Sequence, residues 1–207
     1  MRIPEGLRAI KNIYADAGYE LWLVGGCVRD LIAGSPAKDI DLATSATPDE
    51  QIRLCNEAGL HWHATGLQHG TLTVLCGNEP YEITTFRTDV ETDGRHAVVE
   101  YTRDLTIDLA RRDLTINAIA MSFDGEICDP FNGQDDIKEG RVRFVGEASD
   151  RIREDYLRIM RWFRFLGRYG SDLDRNTSDA IAVQANAEGL KRRSEEHTSE
   201  LQSHHDL

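Results

Sequence analysis

Residues 21–44, LWLVGGCVRDLIAGSPAKDIDLAT, decide the reading of the whole chain. Residues 20–24, apolar from Leu21 on, fit a buried strand, Gly25-Gly26 a tight turn, residues 28–33 a short helix closed by Gly34, and residues 38–43 a second strand. Side chains two apart on a strand share a face. Asp39 and Asp41 are therefore expected side by side, with Ile40 pointing the other way. Two carboxylates so placed repel each other unless a cation stands between them, and hard cations such as Mg2+ prefer oxygen ligands. The Gly25-Gly26 pair lets backbone approach a ligand closely. Its N–H groups open the helix that carries Arg29, and that end of a helix attracts phosphate. A phosphate cradle followed by a two-carboxylate metal site suits the transfer of a nucleotidyl group.

Working outward, residues 5–17 place Leu7, Ile10, Ile13 and Tyr14 at helical spacing, with Gly18 as C-cap. Thr47-Pro48-Asp49-Glu50 is a helix start with an N-cap, a proline at N1 and acids in the first turn. That helix should reach about Ala58. Residues 60–65, 71–76 and 80–86 read as strands, the last two joined by a Gly-Asn turn. His61 and His63, two apart, fit a polar strand face better than a metal site. Residues 88–104 are polar and read as a surface loop with a turn at Asp93-Gly94. Residues 105–121 are expected to turn at Arg111-Arg112-Asp113 into an apolar helix containing Ile116, Ala118 and Ile119. A hairpin around Asp124-Gly125, a short helix after Phe131 and a strand at 141–145 follow. Residues 147–169 read as one helix, with Asp155, Arg158, Arg161 and Arg164 drifting slowly round one face. A last helix spans 173–190.

Composition narrows the class. The 207 residues carry a formal charge of −12, which argues against coating nucleic acid by bulk electrostatics. Arginines nevertheless crowd between Arg141 and Arg168, a local basic site suited to a small polyanion. No apolar run approaches the ~20 residues of a membrane helix, and the start lacks a signal-peptide pattern, so a cytoplasmic protein without membrane partners is expected. Cys27, Cys55, Cys76 and Cys128 never form C-x-x-C and read as reduced thiols.

Three stretches together resemble the class II tRNA nucleotidyltransferase and bacterial poly(A) polymerase family, within the polymerase-beta-like superfamily. Val24, Gly25, Gly26, Val28, Arg29, Asp30, Asp39, Asp41 and Thr44 supply the fixed positions of its first signature. Asp108–Ile119 matches D-L-x-R-R-D-[FL]-T-[IM]-N-A-[ILM], and residues 154–165 match E-D-x-x-R-x-x-R-x-x-R-F. The resemblance implies an α/β nucleotidyltransferase head over residues 1–145, with a mixed β-sheet flanked by helices. It implies the start of a helical neck over 146–192. It further implies addition of CMP and AMP from CTP and ATP to a tRNA 3′ end, with two Mg2+ ions on Asp39 and Asp41. Glu82 could be a third carboxylate or could pair with an arginine. Gly25, Gly26, Arg29 and Arg112 are implied to grip phosphate, and Asp113 and Asn117 to hold the turn or touch the sugar. Asp155, Arg158, Arg161 and Arg164 are implied to select and hold the nucleotide, the carboxylate and an arginine reading the base edge. Thr88–His96 resembles the loop of the tRNA enzymes more than that of the poly(A) polymerases. A poly(A) polymerase, a CC-only or A-only enzyme, and a nucleotide-binding fragment without turnover stay open as alternatives. Residues 193–203, RSEEHTSELQS, resemble a translated sequencing adapter, so residues 193–207 are read as a foreign tail and the natural chain as cut near Arg192.

Overall fold

Leu21–Val24, the apolar run before the double glycine, forms β1 and lies inside a seven-stranded sheet. The computed structural model of the chain describes residues 3–37, 39–77, 79–92, 97–171 and 176–190. On one side β1 pairs antiparallel with β2 (Asp41–Thr44), and on the other with β8 (Ala120–Met121). β2 in turn pairs in parallel with β5 (Glu79–Thr85). β3 (His61–Gly66), β4 (Thr71–Cys76) and β9 (Ile127–Cys128) complete the order β3-β4-β5-β2-β1-β8-β9. A parallel joint needs a long crossover, here α3 (Pro48–Glu57) and the β3-β4 hairpin. The sheet is therefore mixed, as expected from the sequence.

Helix α1 (Glu5–Asp16) buries Leu7, Ile10 and Tyr14 against the sheet, with Leu23, Leu42, Val74 and Ile83 in the same cluster. Helix α3 begins with a complete capping box. The Thr47 hydroxyl accepts from the Glu50 N–H, and Glu50 accepts from the Thr47 N–H at 2.7 Å. Arg103 donates to the same carboxylate at 2.8 Å. Partial burial pushes the Glu50 carboxyl up, but these hydrogen bonds outweigh it and hold it at about 2. Glu50→Ala should therefore cost about 1 kcal/mol at pH 7. Because the folded value lies below the ordinary 4.5, the difference should shrink as pH falls from 4.5 toward 2. Urea titrations of both proteins across that range check the sign; a pH-independent difference would remove the carboxylate from the account.

Five expectations need correction. The second strand starts at Asp41, and Asp39 stands in a bend before it. Residues read as a loop after Thr88 instead extend a two-stranded antiparallel ribbon, β6 (Arg87–Thr92) with β7 (Ala97–Tyr101). The turn at Asp93-Gly94 lies outside the described residues. The apolar helix at 105–121 is replaced by α4 (Leu105–Ala110), a 3-10 turn at Thr115–Asn117 and β8. Polar side chains won there: Thr115 donates to Asp136 at 2.6 Å, and such bonds compete with helix. The strand at 141–145 is reduced to one bridge, Leu114 with Phe144. The N–H groups of Val142 and Phe144 go to Asn176 and Asp179 side chains at 2.6 and 2.8 Å, taking the place of a neighbouring strand. The long helix at 147–169 is two, α6 (Ala148–Glu154) and α7 (Leu157–Tyr169), with Asp155 extended between them. Its carboxylate accepts the Leu157 N–H at 3.0 Å, a cap that ends one helix and starts the next.

Helix α8 (Thr177–Ala185) follows, and α2 (Gly26–Ile32) and α5 (Gly133–Glu139) are the remaining short helices. Leu114, Ile116, Val142 and Phe144 share a core cluster with Ile152, Ile159, Trp162, Phe165 and Val183. Packing is thus continuous across the boundary expected at residue 145. No helix among the described residues is long and apolar enough to cross a membrane. Residues 193–203, read as adapter, lie outside the described residues.

Candidate active site

Strand register builds the acidic wall. Asp41 is the first residue of β2 and stands opposite Glu82 of the parallel neighbour β5. Both are exposed at the sheet surface. Asp39 and Asp41 line one cleft with Glu82, so the bend still delivers the pair that the strand was expected to present. Desolvation by the cleft walls raises the Asp41 carboxyl; the Arg112 charge opposes this, and the nearby Asp39 charge adds to it. Among the described residues no group of three or more His, Cys, Asp or Glu side chains is placed to hold a metal ion. His61 and His63 are exposed on β3 and join no such group.

The opposite wall is basic. Asp41 and Glu82 share a second cleft with His69, Arg87, Arg111 and Arg112. Arg112 lies across the glycine turn: a Cβ on Gly25 would stand 2.9 Å from its Nη1. Gly25 also has φ +68°, a left-handed conformation that glycine adopts without strain. The Arg112 fork donates to Asp108 at 3.2 Å and reaches the Asn117 carbonyl at 3.5 Å. Its Nε is buried with no acceptor among the described residues. Gly26 opens α2 beside the Arg29 guanidinium.

Arg29 is placed differently from the phosphate grip implied for it. It is only 7 % exposed and donates to Asp30 at 2.9 and 3.0 Å and to Asn117 at 2.6 Å. Its guanidinium lies 4.9 Å from the ring centres of both Phe165 and Tyr169. Tyr169 donates to Asp30 at 2.5 Å. Asn117 donates to Asp113 at 3.2 Å, and Asp113 pairs with Arg161 at 3.5 Å. The polar contacts therefore form a ring that leaves α7 at Arg161, passes through Asp113, Asn117, Arg29 and Asp30, and returns to α7 at Tyr169. Asp113 Oδ1 accepts from both the Leu114 N–H, at 2.8 Å, and Asn117 within this turn. Burial raises the Asp30 carboxyl, but the Tyr169 and Arg29 hydrogen bonds more than reverse this and leave it below its ordinary value.

The four residues read as nucleotide-selecting are not one helical row. Asp155 caps α7 from outside it. Arg158 is buried and donates to Glu154 at 2.5 Å and to the Arg151 carbonyl at 3.0 Å. Arg161 and Arg164 stand exposed, Arg164 packed 4.9 Å from the Phe165 ring centre. Sequence reasoning missed His69, Arg87 and Arg111 as lining residues and Tyr169 as a partner of Arg29. Arg111 had a visible cue in the paired arginines of the second signature. Tyr169 had none, because only the fold brings it to Asp30.

The family described as the Poly A polymerase head domain matches residues 21–143, and the chain belongs to that family. The mitochondrial CCA tRNA nucleotidyltransferase 1 of Homo sapiens is 48% identical over 190 residues, covering 90% of this chain and 43% of that protein. The CCA-adding enzyme of Bacillus cytotoxicus is 47% identical over 176 residues, covering 84% and 43%. A crystal structure of the Bacillus stearothermophilus CCA-adding enzyme in complex with CTP is similar at TM-score 0.72 and 38% identity, covering 85% of this chain and 43% of that one. A tRNA nucleotidyltransferase complexed with a primer tRNA and an incoming ATP analog is similar at TM-score 0.66 and 28% identity, covering 87% and 51%. The chain thus spans less than half the length of these two curated relatives.

Proposed function

We propose that this chain is the nucleotidyl-transfer part of an enzyme that adds CMP and AMP, from CTP and ATP, to the 3′ end of tRNA. One observation carries the reading: Asp41 and Glu82, in register on parallel strands, line one cleft together with Arg111 and Arg112. An acidic wall opposite a basic one separates the two tasks of such a site. The carboxylates suit a divalent cation, and the arginines suit phosphate oxygens, which planar guanidinium forks bind well. The names of the relatives and of the solved complexes supply the substrates.

Mg2+ fits the acidic wall. A pair of carboxylates is what Mg2+ takes when water and substrate phosphates complete its shell. Asp39 and Asp41 would hold it. When bound, the ion supplies charge neutralisation at the triphosphate and makes the attacking 3′-hydroxyl more acidic. The protein's own share is placement. Gly25 and Gly26 keep the turn free of side chains, and Arg112 lies over that turn against the phosphates. Asp113 and Asn117 fix the backbone from which Arg112 springs. Asp155 and Arg158 read the edge of the incoming base, and Arg161 and Arg164 meet the triphosphate. Glu154 already engages Arg158 through Nη1, and a guanidinium keeps further donors for a base. The division into a head over 1–145 and the beginning of a neck over 146–192 belongs to the same proposal. The mitochondrial designation of the mammalian relatives makes an organelle as compatible with this family as the cytoplasm.

A single assay tests the reading. The chain is incubated with Mg2+ and a tRNA ending before its CCA, with CTP and ATP supplied singly and together. Two C residues with CTP, then one A when ATP is added, is the expected product. A long A tail would assign the head to a poly(A) polymerase instead. CTP binding with no extension would favour a nucleotide-binding fragment, a reading motivated by the chain's share of its relatives' length.

A further inference from the structure

Asp108 has no role in the transfer described above, yet it is one of the most buried charged groups of the chain. Its side chain is 1% exposed. Both of its oxygens are occupied by the basic wall: Oδ1 accepts from Arg111 Nε at 2.9 Å, and Oδ2 from Arg112 Nη2 at 3.2 Å. Oδ1 also receives the Arg87 backbone N–H at 3.3 Å. The spacing makes this possible. Residues three and four apart on a helix lie over one another, so one carboxylate in the last turn of α4 reaches two successive arginines beyond it.

One carboxylate shared by two guanidinium groups leaves a net positive charge, and both arginines line the cleft opposite Asp41 and Glu82. Their side chains are 18% and 20% exposed, so they are held rather than waving in solvent. A flexible arginine loses side-chain entropy when it binds, and a preset one has already lost it.

We propose that Asp108 is a positioning residue that presets Arg111 and Arg112 as one fork for the triphosphate, which makes Arg111 a second phosphate ligand beside Arg112. The proposal rests on the reading that this cleft takes a nucleoside triphosphate. It assigns Asp108 no contact with substrate; its effect passes through the two arginines. Because the fork addresses phosphate alone, the choice of base is independent of it.

The test is binding of CTP, cytidine and inorganic tripolyphosphate to the whole chain by calorimetry. Asp108→Asn removes the charge and keeps the shape, and Arg111→Ala removes the second ligand while Arg112 still pairs with Asp108. Each should weaken CTP and tripolyphosphate by about tenfold, the scale of one charge-assisted contact, and leave cytidine, which has no phosphate, unchanged. The double variant should fall short of the product of the two effects, because they act on one fork. A merely structural role would instead weaken cytidine and tripolyphosphate together, and that result overturns the proposal. Should Asp108→Asn fail to fold, Arg111→Ala decides: tripolyphosphate affinity equal to wild type overturns it. If the wild-type chain binds neither CTP nor tripolyphosphate, the transfer reading itself falls and takes this one with it. If wild type binds both and the variants match it, only the positioning role falls.

Discussion

Asp41→Asn is expected to abolish the Mg2+ dependence of CTP binding and to lower nucleotide transfer by about a thousandfold, the loss of several kcal/mol of transition-state stabilisation. The fold should survive. Asp41 is exposed at the first position of β2, and its backbone pairing with Glu82 of β5 does not involve the carboxylate. Asparagine keeps the size and loses only the charge. Burial raises the Asp41 carboxyl, the Arg112 charge opposes this and the Asp39 charge adds to it, so the net rise means that a neutral side chain is favoured there. The melting temperature should accordingly stay level or rise slightly. Incorporation of labelled CMP into a tRNA lacking CCA, CTP titrations with and without Mg2+, and a thermal melt give the three readouts. A variant that still transfers at the wild-type rate would take Asp41 out of the metal site.

The largest effect on stability is expected from Arg29→Met. Methionine keeps much of the apolar stem but leaves the Asp30 carboxylate, 8 % exposed, without its main cation. Breaking a buried pair in this way costs about 3–5 kcal/mol. The packing of the guanidinium against both the Phe165 and Tyr169 rings is lost as well. Arg29→Lys should recover little of this, since an ammonium has neither the planar fork nor the flat face. The pH dependence supplies a second check. In the folded protein the Asp30 carboxyl is held below its ordinary 3.8, so its contribution is complete above that pH and is lost on acidification below it. The gap between wild type and Arg29→Met should therefore narrow as pH drops under 3.8. Urea unfolding at several pH values measures both quantities, and a gap under 1 kcal/mol at pH 7 would show the pair to be dispensable.

The sequence was informative where a short motif and a local geometry coincide. D-x-D marked Asp41, and the threonine-proline start marked α3 together with its capping box. The L-V-G-G run placed β1 and the glycine turn, and Gly25 does adopt the conformation that glycine tolerates. Reading failed where side chains compete with the backbone. Asp155 was counted as a helical residue, yet its carboxylate accepts from the Leu157 N–H and it stands outside the helix that carries the three arginines. Thr115 and Asn117 sit in an apolar stretch that periodicity alone reads as helix, but their hydrogen bonds hold it to a single 3-10 turn. Reading also failed where the partner is distant. Arg29 looks like a phosphate ligand in its motif, and only the arrival of Phe165 and Tyr169 shows its charge engaged by protein. Asp108 escaped notice because a carboxylate three residues before an arginine pair looks like surface decoration until its burial is known.

The ring joining α7 to the glycine turn also constrains the order in which the chain can become native. Asp30 and Tyr169 are 139 residues apart, so their bond closes almost the whole described chain. Closing so long a loop carries an entropic cost that short-range pairs avoid, and contacts of that span slow folding. During synthesis the glycine turn emerges early, while the aromatic pair against which Arg29 packs emerges about 135 residues later. Until then Arg29 and Asp30 have only each other and solvent. The strands can assemble in the meantime, but the phosphate end of the cleft cannot take its final form before residue 169 has left the ribosome. A chain released short of that point should retain the sheet and lack the finished nucleotide site.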